Sequence, residues 1–320
     1  MDRFERMQQD FLQLRDSGKV TEPDMQTPIE IDPRAHLTFA VWGDPQLSYL
    51  SAARTAKFWS SCRDLAHMRA PLDALILAGD IADHGDPAEY RMVSQILCEN
   101  CPDAFRHFLC VPGNHDVRLR DYGRQLETFN RFVSEVPGGV PSGGTRYCHS
   151  VRLRGYTFLL MGTDAPTFEG AYIGARQLRW LDESLARADG KPVFVINHQT
   201  LRRTNGLPLT WMGVGSWRGS IGWQSDALRE VFERYRNVIF ITGHLHYGTS
   251  KFTYEDYGAY KALSVPTISV LNHGSYSVDT QGYVLSVYDD HILARARVFG
   301  EGRYVEPDHD NAQIVIPITE

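Results

Sequence analysis

The sequence lacks any apolar run long enough to cross a membrane. A membrane-spanning helix needs about 20 apolar residues in a row, whereas the longest apolar runs, around residues 75–77 and 238–242, have the length of a strand. The N-terminus, MDRFERMQQDF, carries charges where a signal peptide needs an apolar core. Cysteine is also scarce, with five residues spread over the chain. We therefore expect a reduced, cytoplasmic protein with no membrane partner.

The sequence also lacks an excess of positive charge. It has 33 Lys and Arg residues against 39 Asp and Glu residues, which gives a formal net charge of −6. A protein that grips a polyanion through its overall electrostatic field needs a net charge of the opposite sign. We therefore expect no nucleic-acid polymer as its main partner.

No internal repeat and no convincing boundary of a second domain interrupt the chain. Residues 1–18 predict an amphipathic helix, and residues 21–34 contain three prolines and predict a linker or a wrapping strand. The apolar side of the helix consists of Phe4, Met7, Phe11 and Leu14. We expect residues 1–35 to form an arm that docks on the body or on a second subunit of a homo-oligomer, and residues 36–320 to form one domain.

From residue 36 onward, short apolar runs alternate with helical patterns. The apolar runs are LTFAVW, ALILA, FLCVP, VFVI and VIFIT, and a hairpin is predicted over residues 147–160. The helical patterns cover residues 52–68, 87–97, 122–133, 175–188 and 225–235. After residue 246 only strands are predicted, near 267–271, 283–288 and 292–299. This alternation is typical of an α/β fold.

Polar side chains follow each of the five apolar runs LTFAVW, ALILA, FLCVP, VFVI and VIFIT. They are Asp44 and Gln46, Asp80 and Asp83, Asn114, His115 and Asp116, His198, and His244 and His246. Taken alone, each has a simpler explanation, because a Gly-Asp pair after a strand is often a turn and a single His is often part of the core. The carboxyl ends of parallel strands converge at one edge of a sheet, however, and ligands bind there. The five segments together therefore predict a shared site.

These segments together resemble the calcineurin-like metallophosphoesterases, whose pattern is DxH, GDxxDxG, GNH followed by D or E, a later His, and GHxH. The sequence reads DPQ at 44–46, GDIADHG at 79–85, GNHD at 113–116, NH at 197–198 and GHLH at 243–246. The resemblance runs from about residue 37 to residue 299. Gln46 departs from it, since most members have His there; the DPQ variant resembles one subgroup of the family.

The resemblance implies a four-layer αββα sandwich with two metal ions at the strand ends. The first metal would be held by Asp44, Gln46, Asp80 and His246, and the second by Asp80, Asn114, His198 and His244. Mixed carboxylate, amide and imidazole ligands suit Mn or Fe, with Zn also compatible. The implied function is hydrolysis of a small phosphodiester or phosphomonoester by a hydroxide that bridges the two metals. A protein phosphatase and a non-catalytic binding scaffold on the same fold are the alternatives.

The resemblance also implies that His115 donates a proton to the leaving oxygen and that Asp83 orients His115. For substrate binding the sequence offers weaker candidates. Arg118 follows the GNHD segment, and a long Trp-rich loop separates His198 from the helix predicted at 225–235. Loops of this length inside a compact domain are usually functional. Its candidate substrate residues are Arg202, Arg203, Trp211 and Trp217, each of which has ordinary surface packing as the alternative explanation.

Overall fold

Two β-sheets, each flanked by helices, form the centre of the molecule. The computed structural model describes residues 1–20, 22–24, 27–144, 146–188, 190–207, 219–270 and 280–319. The helices are α1 (Arg3–Leu14), α2 (Ala52–Ala66), α3 (Pro87–Asn100), α4 (Asn114–Val117), α5 (Tyr122–Glu135), α6 (Ala175–Ala186) and α7 (Ser225–Phe232). The strands are β1 (Leu37–Trp42), β2 (Leu72–Leu77), β3 (Phe105–Cys110), β4 (Cys148–Leu153), β5 (Tyr156–Met161), β6 (Val193–Ile196), β7 (Thr200–Leu201), β8 (Ser220–Ile221), β9 (Val238–Thr242), β10 (Tyr254–Asp256), β11 (Tyr260–Ser264), β12 (Gln281–Val287), β13 (His291–Val298), β14 (Arg303–Tyr304) and β15 (Gln313–Pro317).

Each sheet has parallel strands joined to antiparallel ones. The first sheet has the order β14-β13-β12-β1-β2-β3, with β15 paired to β13, and its strands β1, β2 and β3 are parallel. The second sheet has the order β10-β11-β9-β6-β5-β4, and β11, β9, β6 and β5 are parallel. Parallel neighbours need long crossover connections, which explains the alternation of apolar runs and helices in the sequence.

The two sheets pack face to face, and helices cover both outer faces. The ring of Phe39 in β1 lies 5.3 Å from that of Phe158 in β5 and 5.0 Å from that of Phe194 in β6, measured between ring centroids. Helices α2, α3 and α5 share one hydrophobic core with the first sheet, whereas α6 and α7 form a second core with the outer face of the second sheet. Because these strands are covered on both faces, their sequences are continuous apolar runs. The predicted four-layer αββα sandwich is therefore confirmed.

The N-terminal helix packs on the body of the same chain. Asp2 and Glu5 form a capping box at its start, and Gly18, with φ of 73°, lies in the turn that follows it. Phe4, Met7 and Phe11 are buried, and the contacts of the helix are with α2 and α3. The guanidinium of Arg91 lies 4.1 Å from the centre of the Phe4 ring. The apolar side that the sequence predicts thus packs against α2 and α3 of the same chain.

The structure differs from the predicted elements mainly after residue 246. The predicted strand at 267–271 is wrong over its described residues 267–270, which form only a single bridge between Thr267 and Gly43, while residue 271 lies outside the described part. Strands β10 and β11 were not predicted, because the polar Lys261 interrupts the apolar pattern of β11. Lys261 is nevertheless buried, with its Nζ 2.6 Å from Asp256 Oδ1. No helix among the described residues is long and apolar enough to cross a membrane.

Candidate functional site

The ends of the central strands of both sheets meet, and they bring a cluster of carboxylates and imidazoles together. Two groups of possible ligand atoms are present, and within each group all the atoms lie within 4.8 Å of one another. Asp80, His198 and His244 form one group, and Asp44, Asp80 and His246 form the other. All of these side chains are buried. Asp80 belongs to both groups, so one carboxylate lies between two sites that could each hold a metal ion.

Several residues of this cluster adopt a backbone conformation that side chains usually avoid. The φ angles are 53° at Asp44, 43° at Gln46, 51° at Asp80, 73° at His244 and 51° at His246. Each such residue costs about 1–3 kcal/mol and persists only where its surroundings hold it. Here the main-chain N–H of His244 donates to the Asp44 carboxylate at 3.0 Å, and that of Gln46 donates to the Asp80 carbonyl at 2.7 Å. Strain concentrated at one site is typical of a functional centre.

The buried histidine His198 is oriented as metal-binding histidines are. Its Nδ1 lies 2.8 Å from the Ala78 carbonyl oxygen, to which it donates, so its Nε2 faces Asp80 Oδ2 at 3.1 Å. Burial lowers the pKa of His198, but the carboxylates of Asp80 and Asp44 outweigh burial and raise it to about 9. Burial likewise opposes the charge of Asp80, but the charges of His198 and His115 hold the pKa of Asp80 well below its usual range. The centre therefore favours positive charge beside its carboxylates.

Gln46 has a side-chain oxygen that a cation would satisfy. Its Oε1 is buried and accepts no hydrogen bond from the described residues, and the residue is only 2% exposed. Leaving such an acceptor unpaired costs about 1–3 kcal/mol. The main chain of Gln46 is held in place, because Arg54 Nη1 donates to its carbonyl oxygen at 3.1 Å. The carboxylate and amide oxygens and the imidazole nitrogens present here suit hard to borderline divalent ions as ligands.

We expect Gln46 to set the affinity of one metal site. An amide oxygen is a harder and weaker donor than an imidazole nitrogen, so Gln46→His should tighten that site and shift its preference toward Zn. Gln46→Ala should weaken it by roughly tenfold or more, since changes even outside the ligand set commonly cost that much. Calorimetric titration of metal-free protein with Mn, Fe and Zn measures both effects. Gln95→Ala, on α3 and hydrogen-bonded to Gln8, is the matched control. Equal affinities in all four proteins would exclude Gln46 as a ligand.

Asn114 is oriented by a loop that the sequence did not connect with the site. Its amide Nδ2 donates to the carbonyl oxygen of Phe168 at 3.3 Å, so its Oδ1 is the atom directed away from that loop. Gln199 Nε2 approaches this Oδ1 at 3.4 Å. The preceding residue must be glycine, because a Cβ on Gly113 would lie 2.1 Å from Asp80 Oδ1 and 2.4 Å from the main-chain nitrogen of Asp80. The GNHD and GDIAD segments thus touch at their main chains.

His115 and Asp83 lie together at the edge of the cluster. His115 Nδ1 is 2.8 Å from the Asp83 carbonyl oxygen and 3.1 Å from its Oδ1, so this nitrogen carries the proton, and Nε2 is 3.9 Å from Asp80 Oδ2. Burial lowers the pKa of His115, but Asp80 and the hydrogen bond to Asp83 outweigh it and raise the pKa above its ordinary value. Asp83 also pairs with Arg54 at 3.2 Å. This geometry suits a proton donor whose ring is oriented by Asp83 at Nδ1, which leaves Nε2 for the substrate.

Asp116 has a structural role that the sequence alone did not indicate. Its carboxylate accepts hydrogen bonds from the main-chain N–H groups of Gly113, Ala82 and Ile81 at 2.8, 3.0 and 3.2 Å. It also accepts one from the Tyr90 hydroxyl at 2.9 Å. Burial and the nearby charge of Asp80 raise its pKa to about 7. Asp116 therefore ties together the two loops that carry Asp80 and Asn114.

Of the predicted substrate residues, Arg118 has contacts with the cluster. Its Nη2 lies 3.1 Å from His115 Nδ1, and its Nη1 lies 3.1 Å from Glu169 Oε1. Arg202 instead pairs with Asp226 of α7 at 3.4 Å, and the carbonyl oxygen of Arg203 accepts a hydrogen bond from Tyr257. The predicted residues Trp211 and Trp217 lie outside the described residues.

Comparison with known proteins shows similarity to phosphoesterases. A family model described as calcineurin-like phosphoesterase matches residues 37–248. A cAMP/cGMP dual specificity phosphodiesterase of Mycobacterium tuberculosis is 27% identical over 179 residues, which are 56% of this chain and 50% of that protein. A 3′,5′-cyclic-nucleotide phosphodiesterase of Nostoc is 25% identical over 194 residues, which are 60% of this chain and 62% of that protein. The matches thus span about half to three fifths of these relatives.

The fold of the chain is similar to that of a solved dimetal phosphatase from Danio rerio. The comparison has a TM-score of 0.61 and covers 89% of this chain and 100% of that one, at 16% sequence identity. At this low identity the similarity concerns the arrangement of sheets and helices alone.

Proposed function

The chain belongs to the calcineurin-like phosphoesterase family, and on that premise we propose that it is a metal-dependent hydrolase of small phosphoric esters. One observation carries the proposal: two groups of buried ligand atoms share the carboxylate of Asp80. A carboxylate between two cations reduces their mutual repulsion, which is the arrangement that a two-metal site requires.

We propose two ligand sets that share Asp80, and the two candidate groups support the carboxylate and imidazole members of each set. The first set is Asp44, Gln46, Asp80 and His246, and the second set is Asp80, Asn114, His198 and His244. Their oxygen and nitrogen chemistry, without cysteine, favours Mn or Fe and is compatible with Zn. Bound together, the two ions would supply an activated water and neutralise the phosphoryl oxygens. Two divalent ions against two carboxylates leave the centre positive, so a phosphate group binds there although the protein as a whole is acidic.

The chain's own residues then position the ester and move the proton. The Asp83 oxygens hold the Nδ1–H of His115, so Nε2 is the atom that donates a proton to the leaving oxygen. Arg118, whose guanidinium lies beside His115, places a second positive charge at the same edge. An anionic phosphoryl group would pair with this charge, because charge-assisted hydrogen bonds are the strong ones.

The substrate that we propose is a small phosphodiester of the cyclic nucleotide class. Two curated relatives are phosphodiesterases of cyclic nucleotides by name, which supports a small diester over a protein. The side chains of His115, Asp83 and Arg118 are only partly exposed, at 16%, 18% and 13%, which also favours a small ester over a protein surface.

A substrate panel tests this function. Protein stripped of metal and then reconstituted with Mn should hydrolyse cyclic AMP and bis(nitrophenyl) phosphate, and it should act on a phosphopeptide at least about tenfold less efficiently in kcat/KM. Hydrolysis is monitored by measuring the release of phosphate from the phosphopeptide, nitrophenol from bis(nitrophenyl) phosphate, or AMP from cyclic AMP. A preference for the phosphopeptide would indicate a protein phosphatase. No hydrolysis of any ester, despite bound metal, would leave a binding scaffold and overturn the proposal.

A further inference from the structure

Phe168 is an exposed aromatic residue whose main chain is held by the proposed metal site. It lies in the loop between β5 and α6, residues 162–174, and is 70% exposed. Single exposed apolar residues are common and need no explanation. Phe168 differs because its carbonyl oxygen accepts hydrogen bonds from Asn114 Nδ2 at 3.3 Å and from Arg118 Nη1 at 3.4 Å. The position of the ring is therefore coupled to a proposed metal ligand.

The next residues of the loop are anchored in the same way. Gln199, which directly follows the proposed ligand His198, donates through Nε2 to the carbonyl oxygens of Glu169 at 3.4 Å and Gly170 at 3.3 Å. Arg118 adds its ion pair with Glu169. Side chains of the site thus bind three consecutive carbonyl groups. This part of the loop is fixed before any substrate arrives, which lowers the entropic cost of binding.

One face of the Phe168 ring is supported by Arg118. The guanidinium carbon lies 4.8 Å from the ring centre, within the range of a cation–π contact. The same guanidinium reaches His115 Nδ1. Arg118 thus contacts both the ring and the proposed proton donor, and 70% of Phe168 is exposed, which leaves the other face of the ring open to solvent.

We propose that Phe168, supported by Arg118, is a stacking platform for the base of a nucleotide whose phosphate lies at the metal centre. This inference rests on the proposed function. Every nucleobase has a π-face, and stacking on an aromatic side chain contributes binding energy without requiring a particular base. Phe168 determines specificity: it selects phosphoesters that carry a planar aromatic group near the phosphate.

Binding of two matched ligands tests the platform. The metal-loaded protein is titrated with AMP and with the corresponding ribose phosphate, which lacks the base. The wild-type protein should bind AMP about tenfold more tightly, as expected for one stacked base. Phe168→Ala should remove this preference while affinity for ribose phosphate stays unchanged, and Phe168→Tyr should retain the preference. The side chain is exposed, so neither variant disturbs the core.

Tyr172 provides the matched control. It is an aromatic residue of the same loop, 45% exposed, and its main chain bonds within the loop to Thr163 and Asp164. Tyr172→Ala should keep the preference for AMP. The platform is overturned if the wild type shows no preference, or if Phe168→Ala retains it. Hydrolysis of bis(nitrophenyl) phosphate by the wild type is measured separately. Its absence would refute the proposed function, whereas loss of base preference in Phe168→Ala would still support the platform.

Discussion

Asp80→Asn should reduce phosphoester hydrolysis to below about one per cent of the wild-type rate. Changes to residues outside a ligand set commonly cost about 10–100-fold in metal affinity or activity, and Asp80 belongs to both ligand groups. Losing its charge removes the carboxylate that offsets repulsion between two cations. Chelation of the wild-type protein should have the same effect and should be reversed by added Mn. The measurements are kcat/KM on bis(nitrophenyl) phosphate and metal content by elemental analysis.

A second Asp-to-Asn change controls for the substitution itself. Asp121 caps α5 by accepting from the Arg124 N–H at 3.0 Å, and Asn caps a helix about as well as Asp. Asp121→Asn should therefore keep wild-type activity and metal content. Full turnover by metal-free wild-type protein would contradict the two-metal proposal, and so would full turnover by Asp80→Asn with a single metal bound.

His115→Ala should lower turnover by about 10²–10⁴ while both metals stay bound. That range is typical of general acid catalysis, and His115 is outside both proposed ligand sets. Asp83→Asn should give a smaller loss in the same direction, because the main-chain carbonyl oxygen of residue 83 still contacts His115 Nδ1. The loss should be smaller for a nitrophenyl leaving group, which departs without a proton, than for an alkyl one. Turnover with both substrates and the metal content of each variant are the measurements.

The leaving-group comparison decides what His115 does. Equal losses for nitrophenyl and alkyl esters would argue against proton donation and would make His115 an electrostatic partner of the phosphoryl oxygens. Loss of metal from His115→Ala would instead place this residue among the ligands. His291→Ala is the matched control, since this histidine lies on β13 beside Asp290, away from the strand ends that form the cluster, and it should change neither quantity.

The sequence alone was sufficient to predict which residues stand at the strand ends. A strand is marked locally by its apolar run, and a residue such as Asp80 or His198 directly after that run is carried to the sheet edge whatever the rest of the chain does. The alternation of runs and helices likewise predicted the parallel strands. The same local signal failed at β11, where a buried lysine with a specific partner breaks the apolar pattern.

The tertiary structure alone decided how these ends meet. The main-chain N–H of His244 binds the Asp44 carboxylate across 200 residues of sequence, and no local pattern records such a contact. The same holds for the sharing of Asp80 between two groups, the role of Asp116, the anchoring of Phe168 and the position of Arg118 beside His115. The physical reason is that propensity and periodicity depend on neighbours along the chain. Ligand geometry and exposure instead depend on how two sheets and their loops pack, which is determined only when the whole chain has folded.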